Sequence, residues 1–364
     1  MPNSRSFQRQ NILNMDGYES GEQPDQPGII KLNTNENPYP PSPNVAEVLK
    51  NFDTHRLRRY PSPRADHFRD CAAQVHQINR NNIVATRGGD ELLRLLLTTF
   101  VDPGDFIGMT DPTYSLYPVL TAIQDARCKA VALKDNWSLP SSFADQLNQS
   151  NCKLTFLVNP HAPSGGLLSP EEISQIATAL TGLLVVDEAY IDFINSPGYD
   201  LTQVAIHSDN IILLRTLSKG YALAGLRFGY GIGPEHLIDP IVNKTKDSYN
   251  LDAISQELAA AAISDQAYAR NTWAKVSQQR QFLQEELSKL GFYSPVSHTN
   301  FLLVTVPSTS RRNAQQLYQA LKLENILVRY FPEQRLSDKL RITIGTAAEN
   351  ASLLSAIKTL QKPG

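Results

Sequence analysis

Arg215-Thr216-Leu217-Ser218-Lys219-Gly220 and its continuation to Arg227, R-T-L-S-K-G-Y-A-L-A-G-L-R, decide how this chain is read. The four residues before it, Ile-Ile-Leu-Leu at 211–214, form a short apolar run of the kind that becomes a buried strand. At the strand's exit stand two hydroxyls, Thr216 and Ser218, then Lys219 beside Gly220, with Arg227 eight residues further on. The arrangement suits a small molecule that is both an aldehyde and a phosphate. A lysine amine condenses with the aldehyde, while hydroxyls and a guanidinium hold the anion. Taken alone, S-K-G reads equally as a surface lysine on a glycine turn. The rest of the chain has to separate the two.

The 364 residues suffice for a sizeable core and, by usual domain sizes, for two domains. Hydrophobic residues at 41% and charged ones at 19% are an ordinary globular composition. A net charge of −2 leaves no basic field for nucleic acid or an anionic membrane surface. Cys71, Cys128 and Cys152 lie far apart without a C-x-x-C, and the seven histidines include no H-E-x-x-H. Neither a disulfide framework nor a metal site is indicated. No apolar run approaches the roughly 20 residues of a membrane span. Nor is there a charged-then-apolar signal pattern at the N-terminus. A cytoplasmic protein without nucleic-acid or membrane partners is expected.

Residues 1–28, rich in Asn, Gln, Gly and Pro, read as a flexible arm. Residues 29–43, I-I-K-L-N-T-N-E-N-P-Y-P-P-S-P, hold four prolines, which exclude a regular element and favour an extended path. The segment is either a linker or a strap over a site, with Asn37 and Tyr39 among its hydrogen-bonding groups. Helices are predicted over 44–52 and 64–76, and the prolines of R-Y-P-S-P between them project Tyr60 outward. A strand at 82–86 leads into R-G-G-D and a leucine-rich helix to Phe100. Strand, glycines, then helix start is a geometry that offers the Gly89 and Asp90 amides to a phosphate. Asp90 as an ordinary N-cap is the alternative.

Strands predicted at 106–109, 129–133, 154–158, 183–186, 211–214 and 228–232 alternate with helices at 114–123, 139–147 and 170–180, the last capped by Ser169. Wholly apolar strands alternating with helices predict an α/β fold: a mainly parallel central sheet with helices on both faces. Ligands bind such sheets at the carboxyl ends of the strands. Asp187 and Lys219 both stand at such ends, with Tyr190 between them. Asp187 alone could be a turn residue, but a buried carboxylate needs a partner, and a pyridinium nitrogen would serve. F-G-Y-G-I-G at 228–233 lacks the G-x-G-x-x-G spacing and lies in a strand pattern, so it is not a dinucleotide loop.

Past Pro234, helices are predicted at 255–263 and 266–290, the longer one linking two domains. The end of the chain reads as strand-helix-strand-strand-helix, with strands at 300–306, 326–329 and 340–344 and helices at 312–321 and 348–360. Arg329 and Arg341 on this unit are either exposed ion-pair formers or a clamp for a carboxylate or phosphate. The expected division is an arm and strap at 1–43, a large cofactor-binding domain at 44–265, and a helix plus small domain at 266–364.

In this order, L-N-T-N-E-N-P-Y (32–39), R-Y-P (59–61), R-G-G-D-E (87–91) and D-P-T-Y-S-L-Y (111–117) are familiar. With V-D-E-A-Y (186–190), R-T-L-S-K, A-G-L-R-F-G-Y (224–230) and L-R-I-T-I-G-T (340–346), they resemble the fold-type I pyridoxal-phosphate aminotransferases of class II. Within that superfamily the resemblance is greatest to the histidinol-phosphate aminotransferases, and it runs from about residue 29 to 361. It implies a large domain, a smaller C-terminal α/β domain, pyridoxal 5'-phosphate as cofactor, and a homodimer with shared active sites. Lys219 would bond to the cofactor, Asp187 would pair with its pyridine nitrogen, Tyr190 would meet its ring hydroxyl and Tyr114 would stack on the ring. The Gly89 and Asp90 amides, Thr216, Ser218, Arg227, and Tyr60 from a second copy would hold its phosphate. Arg341, Arg329, Asn37 and Tyr39 would face the substrates, an amino donor and a 2-oxo acid. The implied reaction joins L-histidinol phosphate and 2-oxoglutarate to imidazole-acetol phosphate and L-glutamate, in histidine biosynthesis.

An aromatic-amino-acid aminotransferase or a threonine-phosphate decarboxylase would share nearly all these residues. A pyridoxal-phosphate-sensing regulator would need a DNA-binding module, for which the residues before Ile29 leave little room. One departure stands out. Relatives read N-P-N-N-P-T-G where this chain reads N-P-H-A-P-S-G (159–165), so Ala162 replaces an asparagine that bonds the ring hydroxyl. Losing one hydrogen bond of about 1 kcal/mol is expected to tune the cofactor. Tyr190 would be the main remaining donor unless His161 or Asn159 reaches in.

Overall fold

A computed structural model of the chain describes residues 7–24, 27–196 and 198–361. The elements begin with α1 (Gln10–Leu13), β1 (Ile30–Lys31), α2 (Pro43–Lys50), α3 (Asp66–His76), β2 (Ile83–Thr86) and α4 (Gly88–Phe100). They continue with β3 (Phe106–Asp111), α5 (Leu116–Ile123), β4 (Arg127–Ala132), α6 (Phe143–Gln149), β5 (Cys152–Val158) and α7 (Pro170–Ala179). Next come β6 (Leu183–Asp187), α8 (Thr202–Ile206), β7 (Ile211–Thr216), β8 (Gly229–Ile232), α9 (Glu235–Pro240), α10 (Ala253–Ser264) and α11 (Gln266–Lys289). The last are β9 (Phe301–Thr305), α12 (Ala314–Leu323), β10 (Ile326–Leu327), β11 (Arg329–Tyr330), β12 (Lys339–Thr343) and α13 (Ala347–Gln361).

Seven strands form the central sheet in the order β2-β8-β7-β6-β5-β3-β4. Pairings among β4, β3, β5, β6 and β7 are parallel, while β8 runs antiparallel to both β7 and β2. Every residue of β6 and β7 is buried, which is why their sequences are apolar runs rather than alternations. Two hydrophobic clusters pack against this sheet, one built on α3 and α10, the other on α4 and α5. A third gathers α11, α12 and α13 around the antiparallel sheet β11-β12-β9. Helix α7 starts at the expected cap: Ser169 and Glu172 close a reciprocal capping box.

Three expectations are corrected. The proline-rich strap does contain a regular element: Ile30 and Lys31 pair in parallel with Ile326 and Leu327. The prolines all lie downstream at Pro38 and beyond, so these two residues keep their amides for pairing. The strand predicted at 326–329 is two strands in two sheets, β10 on the strap and β11 on β12. Nor is the arm a free tail where it is described. Asn11 Nδ2 donates to the Ala122 carbonyl at 2.8 Å, and Glu22 takes a hydrogen bond from Tyr318 and an ion pair from Lys322, both at 2.8 Å. The rejection of F-G-Y-G-I-G as a nucleotide loop holds, since Gly229 and Gly231 lie within β8. A Cβ on Gly229 would stand 2.7 Å from the Gly88 carbonyl carbon, so glycine there lets β8 back directly onto the start of α4.

Candidate active site

The carboxyl ends of β6 and β7 place the predicted residues side by side. Asp187 closes β6, only 5% exposed, and takes hydrogen bonds from the Tyr117 hydroxyl at 2.7 Å and the Ala189 amide at 3.0 Å. Burial pushes its pKa up to about 6, against the pull of those two donors. Thr216 closes β7. Its hydroxyl meets Ser218 Oγ at 2.9 Å and accepts from the Ser218 amide at 3.1 Å, so both hydroxyls stand in one buried group. Lys219 follows, partly buried, with Nζ 3.0 Å from the Thr34 carbonyl of the strap. Burial, then the charge of Arg341, lowers its pKa to about 8. With its pKa lowered so far, a substantial fraction of the amine is unprotonated just above neutral pH, the form that attacks a carbonyl.

Across from these residues, α4 begins at Gly88 with no side-chain cap on its first amides. Gly88 has φ +77°, and a Cβ on it would lie 2.9 Å from Arg227 Nη2. The guanidinium of Arg227 therefore lies against bare backbone, bonded to the Ala224 carbonyl at 3.1 Å and Asp90 Oδ2 at 3.3 Å. Uncapped amides, a dipole end and an arginine form a cradle for an anion.

Tyr190 packs edge-to-face on Phe301 (5.1 Å between centroids), and its hydroxyl accepts from Asn35 Nδ2 at 2.9 Å. Tyr114 lies edge-on to Tyr117 at 5.5 Å. Arg341 and Arg329 face each other across β12 and β11. Arg341 Nη2 donates to the Asn33 carbonyl at 3.0 Å, and among the described residues its buried Nε has no partner, nor does Thr113 Oγ1. Asn37 directs its amide to the Lys219 and Gly220 carbonyls, at 3.1 and 3.0 Å, and so holds the lysine's main chain. Tyr39 lies under the Lys275 ammonium, 5.4 Å from the ring centroid. Tyr60 stands apart, 80% exposed and stacked on Tyr249 at 4.4 Å.

Neither proposed substitute at the Ala162 loop is available. His161 is buried between Ser164 Oγ at 2.7 Å and the Pro112 carbonyl at 3.1 Å, and burial lowers its pKa to about 4. Asn159 Nδ2 serves the Leu168 carbonyl and Tyr199, while its Oδ1 accepts from the Leu168 amide.

Three contributors escaped the sequence reading. Tyr117 lay inside the quoted D-P-T-Y-S-L-Y stretch, yet nothing in that pattern aims its hydroxyl at Asp187. Tyr18 belongs to the arm whose composition predicts flexibility, but its ring packs on Tyr114 at 6.0 Å. Asn35 carried no distinguishing signal within an asparagine-rich strap.

An aldehyde-and-phosphate ligand fits this arrangement. The amine, the buried carboxylate and the anion cradle converge at the ends of one sheet, and Arg341 Nε and Thr113 Oγ1 remain unsatisfied. The family model for class I and II aminotransferases matches residues 27–357. The chain belongs to that family. As a class I and II aminotransferase it is a pyridoxal-phosphate-dependent transaminase acting on an amino donor and a 2-oxo acid. It is 42% identical over 98% of its length, and 99% of theirs, to histidinol-phosphate aminotransferase 1 of Trichormus variabilis. With the histidinol-phosphate aminotransferase of Geotalea daltonii the identity is 39%, over 96% of this chain and 98% of that one. The aminotransferase fold is shared with the crystal structure of histidinol-phosphate aminotransferase from Sinorhizobium meliloti in complex with pyridoxal-5'-phosphate. There the TM-score is 0.87 at 23% identity, covering 98% and 99% of the two chains. Among the described residues, no helix is long and apolar enough to cross a membrane.

Proposed function

We propose that this aminotransferase exchanges the amino group of L-histidinol phosphate with 2-oxoglutarate, giving imidazole-acetol phosphate and L-glutamate in histidine biosynthesis. The observation that carries the chemistry is the meeting of Lys219, Asp187 and the Gly88–Gly89 cradle at the strand ends. The substrate assignment draws on relatives of that name that match nearly the whole chain.

When bound, the cofactor supplies an electron sink for the carbanion at the substrate Cα. The remaining work belongs to the chain. Asp187 holds a proton at the ring nitrogen, and Tyr117 steadies its carboxylate. The amides of Gly89 and Asp90, the hydroxyls of Thr216 and Ser218, and Arg227 hold the phosphate. Tyr190 donates to the ring oxygen and Tyr114 covers the ring. Lys219, with its amine free, would take the proton from the substrate Cα as general base and, as general acid, would deliver it on the cofactor side rather than back to Cα. Arg341 and Arg329 bind the carboxylate of glutamate and, in the other half-reaction, the phosphate of histidinol phosphate. Asn37 acts mainly by holding the Lys219 main chain, and Tyr39 borders the substrate side.

Tyr60 and Tyr249, 80% and 48% exposed, with Leu57 at 53%, support a homodimer in which Tyr60 serves the second copy's phosphate cradle. We place the enzyme in the cytoplasm. Its division is the strap through residue 43, the large domain at 44–265 and the small domain from 266. The test is a set of single-turnover half-reactions with histidinol phosphate, phenylalanine and threonine phosphate. Histidinol phosphate should react fastest, and faster reaction with phenylalanine would reassign the substrate. Lys219→Ala should abolish both the visible absorption of the bound cofactor and turnover, and wild-type turnover in that variant would end the assignment.

A further inference from the structure

We propose that Asn35 is a positioning residue, which turns the Tyr190 hydroxyl outward so that its single hydrogen is donated to the cofactor's ring oxygen. This rests on the reading of the site given above. Amide nitrogen Nδ2 can only donate, so at 2.9 Å it makes the Tyr190 oxygen an acceptor. Among the described residues none accepts a hydrogen bond from Tyr190 Oη, and the phenolic hydrogen is left for a partner in the site.

The amide is held at both ends. The Asn35 main-chain N–H donates to Thr343 Oγ1 at 3.0 Å, and the Thr343 hydroxyl donates to Asn35 Oδ1 at 3.1 Å. With Oδ1 facing Thr343, Nδ2 faces Tyr190. The Asn35 carbonyl accepts from Asn300 Nδ2 at 3.0 Å. Asn35 is 2% exposed and sits at φ +57°, a left-handed conformation that asparagine tolerates better than most residues. A buried, left-handed residue whose polar groups are all engaged is strongly over-determined. The result is a directed chain from Thr343 through Asn35 to Tyr190.

The chain matters more here because the Ala162 side chain has no polar atom and His161 and Asn159 are engaged elsewhere. Tyr190 therefore carries the ring oxygen's hydrogen bond without help from that loop. A donor that itself receives a hydrogen bond is polarised and donates more strongly. In keeping with this, the Asn35 bond works against the burial that raises the Tyr190 pKa.

In the cofactor-loaded protein, the proton on the nitrogen joining Lys219 to the cofactor is shared with the ring oxygen, and the visible absorption follows its titration. Weakening the Tyr190 donation leaves more negative charge on that oxygen, so the proton is held to higher pH. Asp187, Arg341 and Tyr18 face Tyr190, as do Tyr114 and Tyr117. Arg341, Glu36, Arg227 and Lys31 face Lys219. Replacing Asn35 leaves all of these in place.

Asn35→Gly keeps the left-handed backbone and both main-chain bonds while deleting the amide. With cofactor bound, the midpoint of the visible-absorption titration should rise by about one pH unit, the size of one hydrogen bond. Tyr190→Phe should raise it at least as far, and adding Asn35→Gly to that variant should move it no further. Thr343→Val, which frees the amide to rotate, should shift it in the same direction by less. A wild-type midpoint in loaded Asn35→Gly, or an equal shift in the Tyr190→Phe background, would overturn the proposal. If the wild-type protein shows no Lys219-dependent visible band, the cofactor site itself has been misread and the proposal falls with it.

Discussion

The Tyr117 hydroxyl donates to Asp187 Oδ2 at 2.7 Å beneath the open end of the sheet, with the Tyr117 ring stacked on Phe156 at 4.6 Å. This bond favours the ionised carboxylate that a ring nitrogen needs as partner. Tyr117→Phe should raise the Asp187 pKa further and weaken pyridoxal-phosphate binding roughly tenfold, about 1.4 kcal/mol. Equilibrium titration of the cofactor by fluorescence measures it, and an unchanged dissociation constant would refute the role.

The pH dependence of the cofactor-free protein follows from Asp187. Its pKa is raised from 3.8 to about 6 by burial. The stability this contributes is present in full below about pH 4 and is lost as pH rises through about 6. The loss is up to ~3 kcal/mol across that window. Melting temperatures of wild type and Asp187→Asn between pH 4 and 7 should diverge, with the wild type alone carrying the decline. Parallel curves would exclude it.

Gly229→Ala should damage fold and cradle together. The added Cβ would meet the Gly88 carbonyl carbon at 2.7 Å, the Gly89 nitrogen at 2.8 Å and the Arg215 carbonyl at 3.1 Å. All three are backbone atoms, so relief requires moving the first turn of α4. A cost of ~1–3 kcal/mol in urea denaturation is expected, together with weaker phosphate binding. Gly225→Ala, whose Cβ meets nothing within 4 Å, is the control and should stay close to wild type.

Arg215 Nε donates to Glu188 Oε2 at 2.8 Å, and the Glu188 side chain is fully buried. Arg215→Met would strand that carboxylate, at a cost of ~3–5 kcal/mol. Adding Glu188→Leu should recover much of the loss. Urea midpoints of the single and double variants decide the point, and a double variant no better than the single one would show that the pair is not the cause.

Much of the fold was legible because wholly buried strands leave an unmistakable apolar signature. Residues 183–186 and 211–214 read as strands from composition alone, inside the observed β6 and β7, and Ser169 announced the start of a helix. Asp187 and Lys219 could be placed at strand ends for the same reason. The strap was harder. Its two-residue pairing with Ile326 and Leu327 spans almost the whole chain, and no local periodicity reports such a partner.

Local chemistry along the chain therefore marked most of the elements and the candidate residue types of the site: the amine, the carboxylate, the hydroxyls and the glycines of the cradle. Tertiary packing alone decided their states. Burial brings Lys219 down to about 8 and Asp187 up to about 6, and neither shift is encoded by neighbours in sequence. The contacts Tyr117–Asp187 and Asn35–Tyr190 join positions 70 and 155 residues apart. Desolvation and hydrogen-bond direction depend on what surrounds an atom in space, and only the folded chain supplies those surroundings.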